Sequence, residues 1–207
     1  MEINNVNGYR QMLASAYEYQ DRLHMLINLG KNLNSLLDID DIMDALIESS
    51  IKLSGAQTGA AALFNRTKVV FNKYGVNGRV LPLEYKFQRG KGISGMVMET
   101  KKPYLCNNTD RNQYMPAEVQ KVFKIRNFIS VPILGKQDEF FGFFEVYNTR
   151  NLEPFSQIDV DLCVDLAGFA ATAVDNSRLL NEINKFGEEM ELLVSELASQ
   201  SVSKEPL

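Results

Sequence analysis

The feature that most constrains this chain is its order of patterns: apolar residues at heptad spacing at both ends, and short strand-like runs between them. The N-terminal heptad columns are Met12, Tyr19, Leu26 and Leu33, with Ala16, Leu23, Gly30 and Leu37 beside them. From Ser156 onward the columns are Leu162, Phe169, Ile183, Met190 and Leu197, with Leu166, Ala173, Leu180 and Val194 beside them, interrupted at Asn176 and Gly187. This order predicts a β-rich middle between two long helices.

The heptad columns have two interpretations, and the sequence leaves both open. In the first, the terminal helices form a seam with a second copy of the chain, which predicts a homodimer. In the second, each helix is amphipathic and covers its own domain.

The middle of the chain favours an antiparallel sheet. A helix capped by Asp38 and ended by Gly55 leads to the apolar run GAAALFN and its partner VVFNKYGV, which form one hairpin. Tyr85 and Phe87 lie in a third, alternating strand, and Pro103–Cys106 is a brief strand. Residues 128–134 and 140–148 form a second hairpin. Consecutive hairpins between helices predict an α+β fold with an antiparallel sheet.

Composition excludes several classes of function. The 207 residues carry a net charge of −4 with both signs interspersed, so we expect no nucleic-acid partner, because such binding needs a basic face. No apolar run reaches the ~20 residues of a membrane span, and the start has no signal-peptide pattern, so we expect a cytoplasmic protein without a membrane partner.

Histidine and cysteine are too sparse for a metal centre or a catalytic triad. His24 is the single histidine and lies in a helical pattern, and Cys106 and Cys163 are far apart without a CxxC partner. We therefore predict no metal site, no cofactor and no catalytic residue.

The stretch GKGISG, residues 90–95, matches the dinucleotide fingerprint G-x-G-x-x-G, but its context does not fit. The preceding LEYKFQ alternates, unlike a strand buried on both faces, and the following helix ends within about two turns at Pro103. We interpret Gly90 and Gly92 instead as a tight turn from strand to helix.

Four segments in order resemble a GAF domain. They are LDIDDIMDALIESSIKLSGAQTGAAALFN, KFQRGKGISGMVMETKKPYLCNN, IRNFISVPILGKQDEFFGFFEVYN and FSQIDVDLCVDLAGFAATAVDNSRLL. The second resembles the family's G-x-G-x-x-G-x-V-x-x-[ST]-x-x-P segment. The resemblance implies an N-terminal helix over 1–36, a GAF domain over 37–180, and a C-terminal helix with a frayed tail, starting at Ser199, over 181–207. It also implies that the helices pack on one face of the sheet and that a ligand pocket lies on the other.

The resemblance also argues against three ligands that members of the family bind: cyclic nucleotides, bilins and haem. Cyclic-nucleotide-binding members carry an N-K…F-x-x-x-D-E signature, which Asn148, Phe155 and Asp159 match. Thr149 replaces the Lys that pairs with the Asp in those members, and Val160 replaces the Glu, so the resemblance argues against a cyclic nucleotide. Bilin-binding members need a Cys followed by His, whereas Asn107 follows Cys106, and His24 precedes the domain in which haem-binding members place their histidine.

We predict that the pocket lies between the sheet and the segments from Tyr85 to Phe128. Its candidate polar residues are Asn107, Asn108, Asp110, Ser130 and Glu145, and its candidate walls are Phe87, Met96, Tyr104, Phe128 and Tyr147. An apolar cleft with a few polar groups is typical of small-ligand recognition.

The resulting hypothesis is a non-catalytic sensory or regulatory module that binds a small molecule, dimerises through its terminal helices and acts on a signalling partner, as a free-standing protein or part of a longer one. One alternative is an enzyme similar to the GAF proteins that reduce free methionine sulfoxide with clustered cysteines. Another is a dimerisation module without a ligand.

Overall fold

The computed structural model describes residues 2–65, 68–76, 78–82, 90–115, 120 and 124–202. The helices are α1 (Glu2–Ser35), α2 (Ile39–Ser54), α3 (Gly92–Thr100) and α4 (Gln157–Val202). The strands are β1 (Ala56–Asn65), β2 (Lys68–Val76), β3 (Arg79–Pro82), β4 (Tyr104–Cys106), β5 (Phe128–Leu134) and β6 (Phe140–Thr149). The α+β prediction is confirmed.

Local signals account for the ends of α2. The Asp38 side chain accepts hydrogen bonds from the backbone N–H of Asp40 and of Asp41, which satisfies two otherwise unpaired donors at the helix start. Gly55 ends the helix with a positive φ of 66°. Because β1 begins at Ala56, this glycine turns the chain directly from helix into sheet.

The described strands form one six-stranded sheet in the order β3-β2-β1-β6-β5-β4. Every pair of neighbours is antiparallel, as the sequence predicted. β3 was not predicted, because four residues are too few to show an alternating pattern. The strand predicted at Tyr85 and Phe87 lies outside the described residues.

The sheet has an apolar core on each face. One core contains the inward faces of α1, α2 and α4 together with alternate sheet residues such as Leu63, Val131 and Phe144. The opposite core contains Ala62, Phe128 and Phe143 and is covered by α3. We call the surface under α3 the second face. Gly90 and Gly92, both at positive φ, make the turn that starts α3, which confirms the interpretation of GKGISG as a turn.

The second interpretation of the heptad columns holds for the part of each helix that packs on the domain, and for the exposed parts the seam with a second copy stays a prediction. Leu26 and Leu33 of α1 are buried against the domain, and a Cβ on Gly30 would lie 2.6 Å from the ring of Phe169 in α4. In contrast, Met12 is 64% exposed. α4 likewise buries Leu162 and Leu166 in its first half and is exposed from Leu179 to Glu196, apart from the half-buried Leu180. It continues to Val202, beyond Ser199 where we placed the start of the tail.

Gly142 provides a test of how tightly the central strands pack. A Cβ at this position would lie 2.1 Å from the carbonyl oxygen of Ala62, a backbone atom that cannot swing aside. We expect Gly142→Ala to lower the free energy of unfolding by about 2 kcal/mol in urea titrations followed by circular dichroism.

The matched control is Gly168→Ala, on the exposed side of α4. A Cβ there meets nothing within 4 Å, so the better helix propensity of alanine should stabilise the protein by about 0.5–1 kcal/mol. Equal stabilities of the two variants would contradict this account of the sheet.

Candidate functional site

A hydrogen-bonded polar group lies in the middle of the second face. Glu145 of β6 is paired in register with Ala60 of β1 on one side and with Ser130 of β5 on the other. The Ser130 hydroxyl donates to Glu145 Oε1 at 2.8 Å, and the Tyr147 hydroxyl donates to Glu145 Oε2. We call Ser130, Glu145 and Tyr147 the carboxyl cluster. All three were predicted pocket residues, and the sheet register brings them together.

The environment of Glu145 is unusual for a carboxylate. Glu145 is only 7% exposed, and this burial raises its pKa above the ordinary value, although the hydrogen bonds from Tyr147 and Ser130 act in the opposite direction. Ion pairs in the described part of the chain join Arg22 to Asp159, Lys73 to Asp40 and Asp44, and Arg178 to Glu139. Among those residues, Glu145 therefore has no cationic partner.

Aromatic side chains surround the carboxyl cluster in the core of the second face. Phe128 and Phe143 are fully buried, and the ring of Phe143 lies 6.1 Å from that of Phe64. Tyr104 packs on Phe128 at 5.9 Å between ring centroids. Met96 of α3 contacts the same core. The predicted wall residues Met96, Tyr104, Phe128 and Tyr147 thus share one core, and Phe87 lies outside the described residues.

The end of β4 extends this polar region toward the surface. Tyr104 pairs in register with Ser130, and its hydroxyl accepts a hydrogen bond of 3.0 Å from the Asn112 amide. The same amide donates to the Cys106 sulfur at 3.1 Å. Asn112 was not predicted, because an Asn in a polar loop gives no sign of the side chains it contacts.

The three polar residues predicted after β4 make other contacts. The Asn107 side chain forms two 2.9 Å hydrogen bonds with the backbone of Phe155, and Asn108 caps the 3-10 turn Thr109–Arg111. Asp110 accepts a 2.6 Å hydrogen bond from Gln120. All three are exposed, and these contacts hold the loop in place and do not join the carboxyl cluster.

A second polar network surrounds Asp159, for which the resemblance implied a Lys partner at the position of Thr149. Asp159 Oδ1 accepts a 2.5 Å hydrogen bond from Arg22 of α1, which also donates to the Leu53 carbonyl at 3.1 Å. Asp159 Oδ2 accepts hydrogen bonds from the backbone N–H and the hydroxyl of Ser156, which caps the start of α4. The cation missing at Thr149 is therefore supplied by another helix.

Asn148 and Phe155, the other residues that match the N-K…F-x-x-x-D-E signature, make structural contacts in the same region. Asn148, at a positive φ of 56°, accepts a 2.7 Å hydrogen bond from Arg126 N–H and donates to the Lys124 carbonyl. Phe155 is buried in the core on the helix side. These contacts fix the path of the chain from β6 to α4.

The two cysteines lie on opposite sides of the sheet. Cys106 belongs to the core of the second face, whereas Cys163 of α4 is buried in the core on the helix side. Burial and the nearby Asp159 raise the pKa of Cys163 to about 12, so this thiol stays protonated at neutral pH. In the described residues, no three His, Cys, Asp or Glu side chains are grouped as metal ligands would be.

An antiparallel sheet with α1, α2 and α4 on one face and the short helix α3 on the other is the architecture of a small α+β domain. The family profile described as GAF domain matches residues 37–175, and the chain belongs to this family. Across the described residues, no helix combines the length and apolar character needed to span a bilayer.

Solved structures share this fold. The GAF domain of a phosphoenolpyruvate-protein phosphotransferase from Coxiella burnetii has a TM-score of 0.63 at 15% identity, covering 79% of this chain and 98% of that one. Free methionine-R-sulfoxide reductase from Neisseria meningitidis, solved with its substrate, has a TM-score of 0.63 at 13% identity, covering 79% and 93%. The GAF domain of a putative sensor histidine kinase from Pseudomonas syringae pv. tomato has a TM-score of 0.54 at 16% identity, covering 86% and 98%.

The pair of Arg22 and Asp159 can be tested by a double-mutant cycle. Both side chains are mostly buried, so we expect Arg22→Met and Asp159→Asn to couple by about 1–3 kcal/mol in the free energy of unfolding. Hydrogen exchange should also become faster in α1 in either variant.

The comparison pair is Arg178 and Glu139, whose charged atoms lie 3.8 Å apart at a more exposed position. Their coupling should stay below about 1 kcal/mol. A coupling near zero for Arg22 and Asp159 would show that this ion pair does not hold α1 to the domain.

Proposed function

We propose that this protein is a non-catalytic regulatory module in signal transduction that binds a small molecule against the second face. The observation that carries this proposal is the carboxyl cluster, a buried set of hydrogen-bonding groups within an aromatic core. An apolar environment with a few placed polar groups is the common character of small-molecule sites. The occurrence of the fold in a sensor histidine kinase and in a chemotaxis protein supports the signalling role.

The sheet offers a direct route from such a site to the helices. Phe144 and Val146 flank Glu145 on β6 and point to the opposite core, which they share with Leu166 and Ala170 of α4. A ligand that favours one position of β6 would therefore bias the packing of α4. A signalling partner would then read the position of the exposed half of α4.

The redox alternative has a specific observation in its favour, because one protein of similar fold is a sulfoxide reductase and Cys106 lies at the second face. However, thiol catalysis needs a second thiol to resolve the oxidised one. Cys163 lies across the sheet with a raised pKa, so it is badly placed for this role. This separation supports the binding module over the enzyme.

Native mass spectrometry of freshly purified protein tests the proposal. We expect a non-covalent small-molecule adduct that denaturation removes, and the same molecule should raise the melting temperature of stripped protein. Tyr104→Ala, which removes a ring from the second face, should weaken binding by about tenfold or more, roughly the 1–3 kcal/mol of an aromatic contact.

Tyr17→Ala is the control, because Tyr17 is 66% exposed on α1, and it should leave binding unchanged. If purified protein carries no adduct and no metabolite in a broad library shifts its melting temperature, the remaining interpretation is a dimerisation module without a ligand. Oxidation of a thiol reductant by methionine sulfoxide, lost in Cys106→Ser, would instead establish the enzyme.

A homodimer through the terminal helices is part of the proposal. Exposed apolar residues on α4 alternate at spacings of four and three, which is the pattern of a coiled-coil seam. They are Leu179, Ile183, Phe186, Met190 and Leu193, each at least 53% exposed. This column does not include Gly187, which interrupted the column predicted through Leu180 and Val194.

The dimer is tested by light scattering after size-exclusion chromatography. We expect a dimer for the wild-type chain, and at least about a tenfold weaker dimer when Ile183 or Phe186 is replaced by Glu, because the charge would be buried in the seam. Leu152→Glu is the control, since Leu152 is 72% exposed in the loop before α4. A wild-type monomer at high micromolar concentration would refute the seam.

A cytoplasmic location completes the proposal. It is supported by Cys106 and Cys163, which are both unpaired in the structure, a state that reducing compartments maintain.

A further inference from the structure

The carboxyl cluster has hydrogen-bonding capacity beyond the contacts that it makes within the protein. An ionised carboxylate has about four acceptor positions. The hydroxyls of Ser130 and Tyr147 occupy one position on each oxygen of Glu145. In the described part of the chain, the remaining positions take part in no other hydrogen bond and are the ones that a bound donor would use.

Among the described residues, no cation balances the charge of Glu145. In the described part of the chain no Lys, Arg or His forms an ion pair with it, and the nearby cation Lys73 of β2 is bound by Asp40 and Asp44 on the α2 side. The sheet register places Tyr74 of β2 and Tyr104 and Cys106 of β4 on the same face, and none of these residues is a lysine, an arginine or a histidine. α3 contributes one titratable side chain, the exposed Glu99.

Burying a carboxylate without a cation costs considerable free energy, and a cation supplied by a ligand would offset that cost. The surrounding rings favour the same class of ligand, because the negative face of an aromatic ring attracts cations. Phe64, Phe128 and Phe143 belong to the core that contains this surface, and Tyr147 contacts both the core and Glu145. An anionic ligand would meet repulsion from an ionised Glu145.

We propose that the molecule bound at the second face carries a protonated amine or a guanidinium group, which binds Glu145 while its apolar body packs on the aromatic core. This inference rests on the proposed function and adds the chemical class of the ligand. It makes Glu145 the residue that selects cationic over neutral molecules of the same shape.

Proton linkage gives this site a distinct signature. In the free protein, burial raises the pKa of Glu145, and a bound cation would lower it again by favouring the ionised form. Binding therefore releases a proton wherever free Glu145 is protonated. Affinity for the cation should therefore rise with pH, by about tenfold per pH unit below the raised pKa of Glu145, and level off above that pKa.

The experiment compares cations with neutral molecules of equal shape. Butylamine, 2-phenylethylamine and butylguanidine, at millimolar concentration, are paired with 1-butanol, 2-phenylethanol and butylurea on the full chain. We expect at least one cation to raise the melting temperature and to bind at least tenfold more tightly than its neutral partner. Calorimetry in buffers of different ionisation enthalpy should show the proton release.

Glu145→Gln keeps the shape of the side chain. It should weaken binding of the cation at least tenfold and abolish the proton release. The control is Glu99→Gln, which removes an exposed carboxylate from α3 and should leave both unchanged. If Glu145→Gln does not fold, the cation preference and the pH dependence of the wild-type chain still decide the matter.

Three results would overturn the inference: no cation of the set binds, the neutral partners bind equally well, or Glu145→Gln binds the cation as tightly as the wild-type chain. The proposed function is judged separately. A neutral or anionic molecule that co-purifies and binds Glu145→Gln unchanged would overturn the ligand class and leave the binding module standing. If neither this set nor a metabolite library contains a binder, both proposals fail.

Discussion

The structure depends on the alternation of side chains along β5 and β6, because these strands are buried on both faces. Ile129 and Val131 point into the core shared with the helices, while Phe128 and Ser130 point to the second face. A shift of one residue in register would place Glu145 among the aliphatic side chains of the helical layer, where no hydroxyl is paired with it in register. The hydrophobic pattern that selects the fold therefore also positions the carboxyl cluster, and fold and site cannot vary independently.

Features with a local cause could be predicted from the sequence, and features that depend on distant partners could not. The Asp38 cap, the Gly55 turn and the hairpin of β5 and β6 each follow from a few neighbouring residues. Ser130 and Glu145 were chosen as candidates because polar groups on otherwise apolar strands stand out, and Tyr147 was chosen as an aromatic wall. The partner of Asp159 was missed, since Arg22 lies 137 positions earlier in an ordinary helical pattern.

The loop after β4 shows a different limit of sequence reasoning. Asn107, Asn108 and Asp110 have the composition expected of either a binding loop or a structural turn, and their side chains here bond to the backbone or to Gln120. Asn112, four positions after Asn108, is the residue whose amide reaches Tyr104 and Cys106. Composition gives the type of hydrogen-bonding group, whereas only the path of the loop decides which group reaches the sheet.

The continuity of α4 has a mechanical consequence. Its 46 residues form one helix, embedded against the sheet at one end and projecting away from it from Leu179 onward. The projecting 24 residues extend about 36 Å, so a tilt of about 5° at the embedded end displaces the tip by about 3 Å. Rearrangements too small to disturb the core are in this way amplified into a movement comparable to the diameter of a water molecule, at a position far from where they arise.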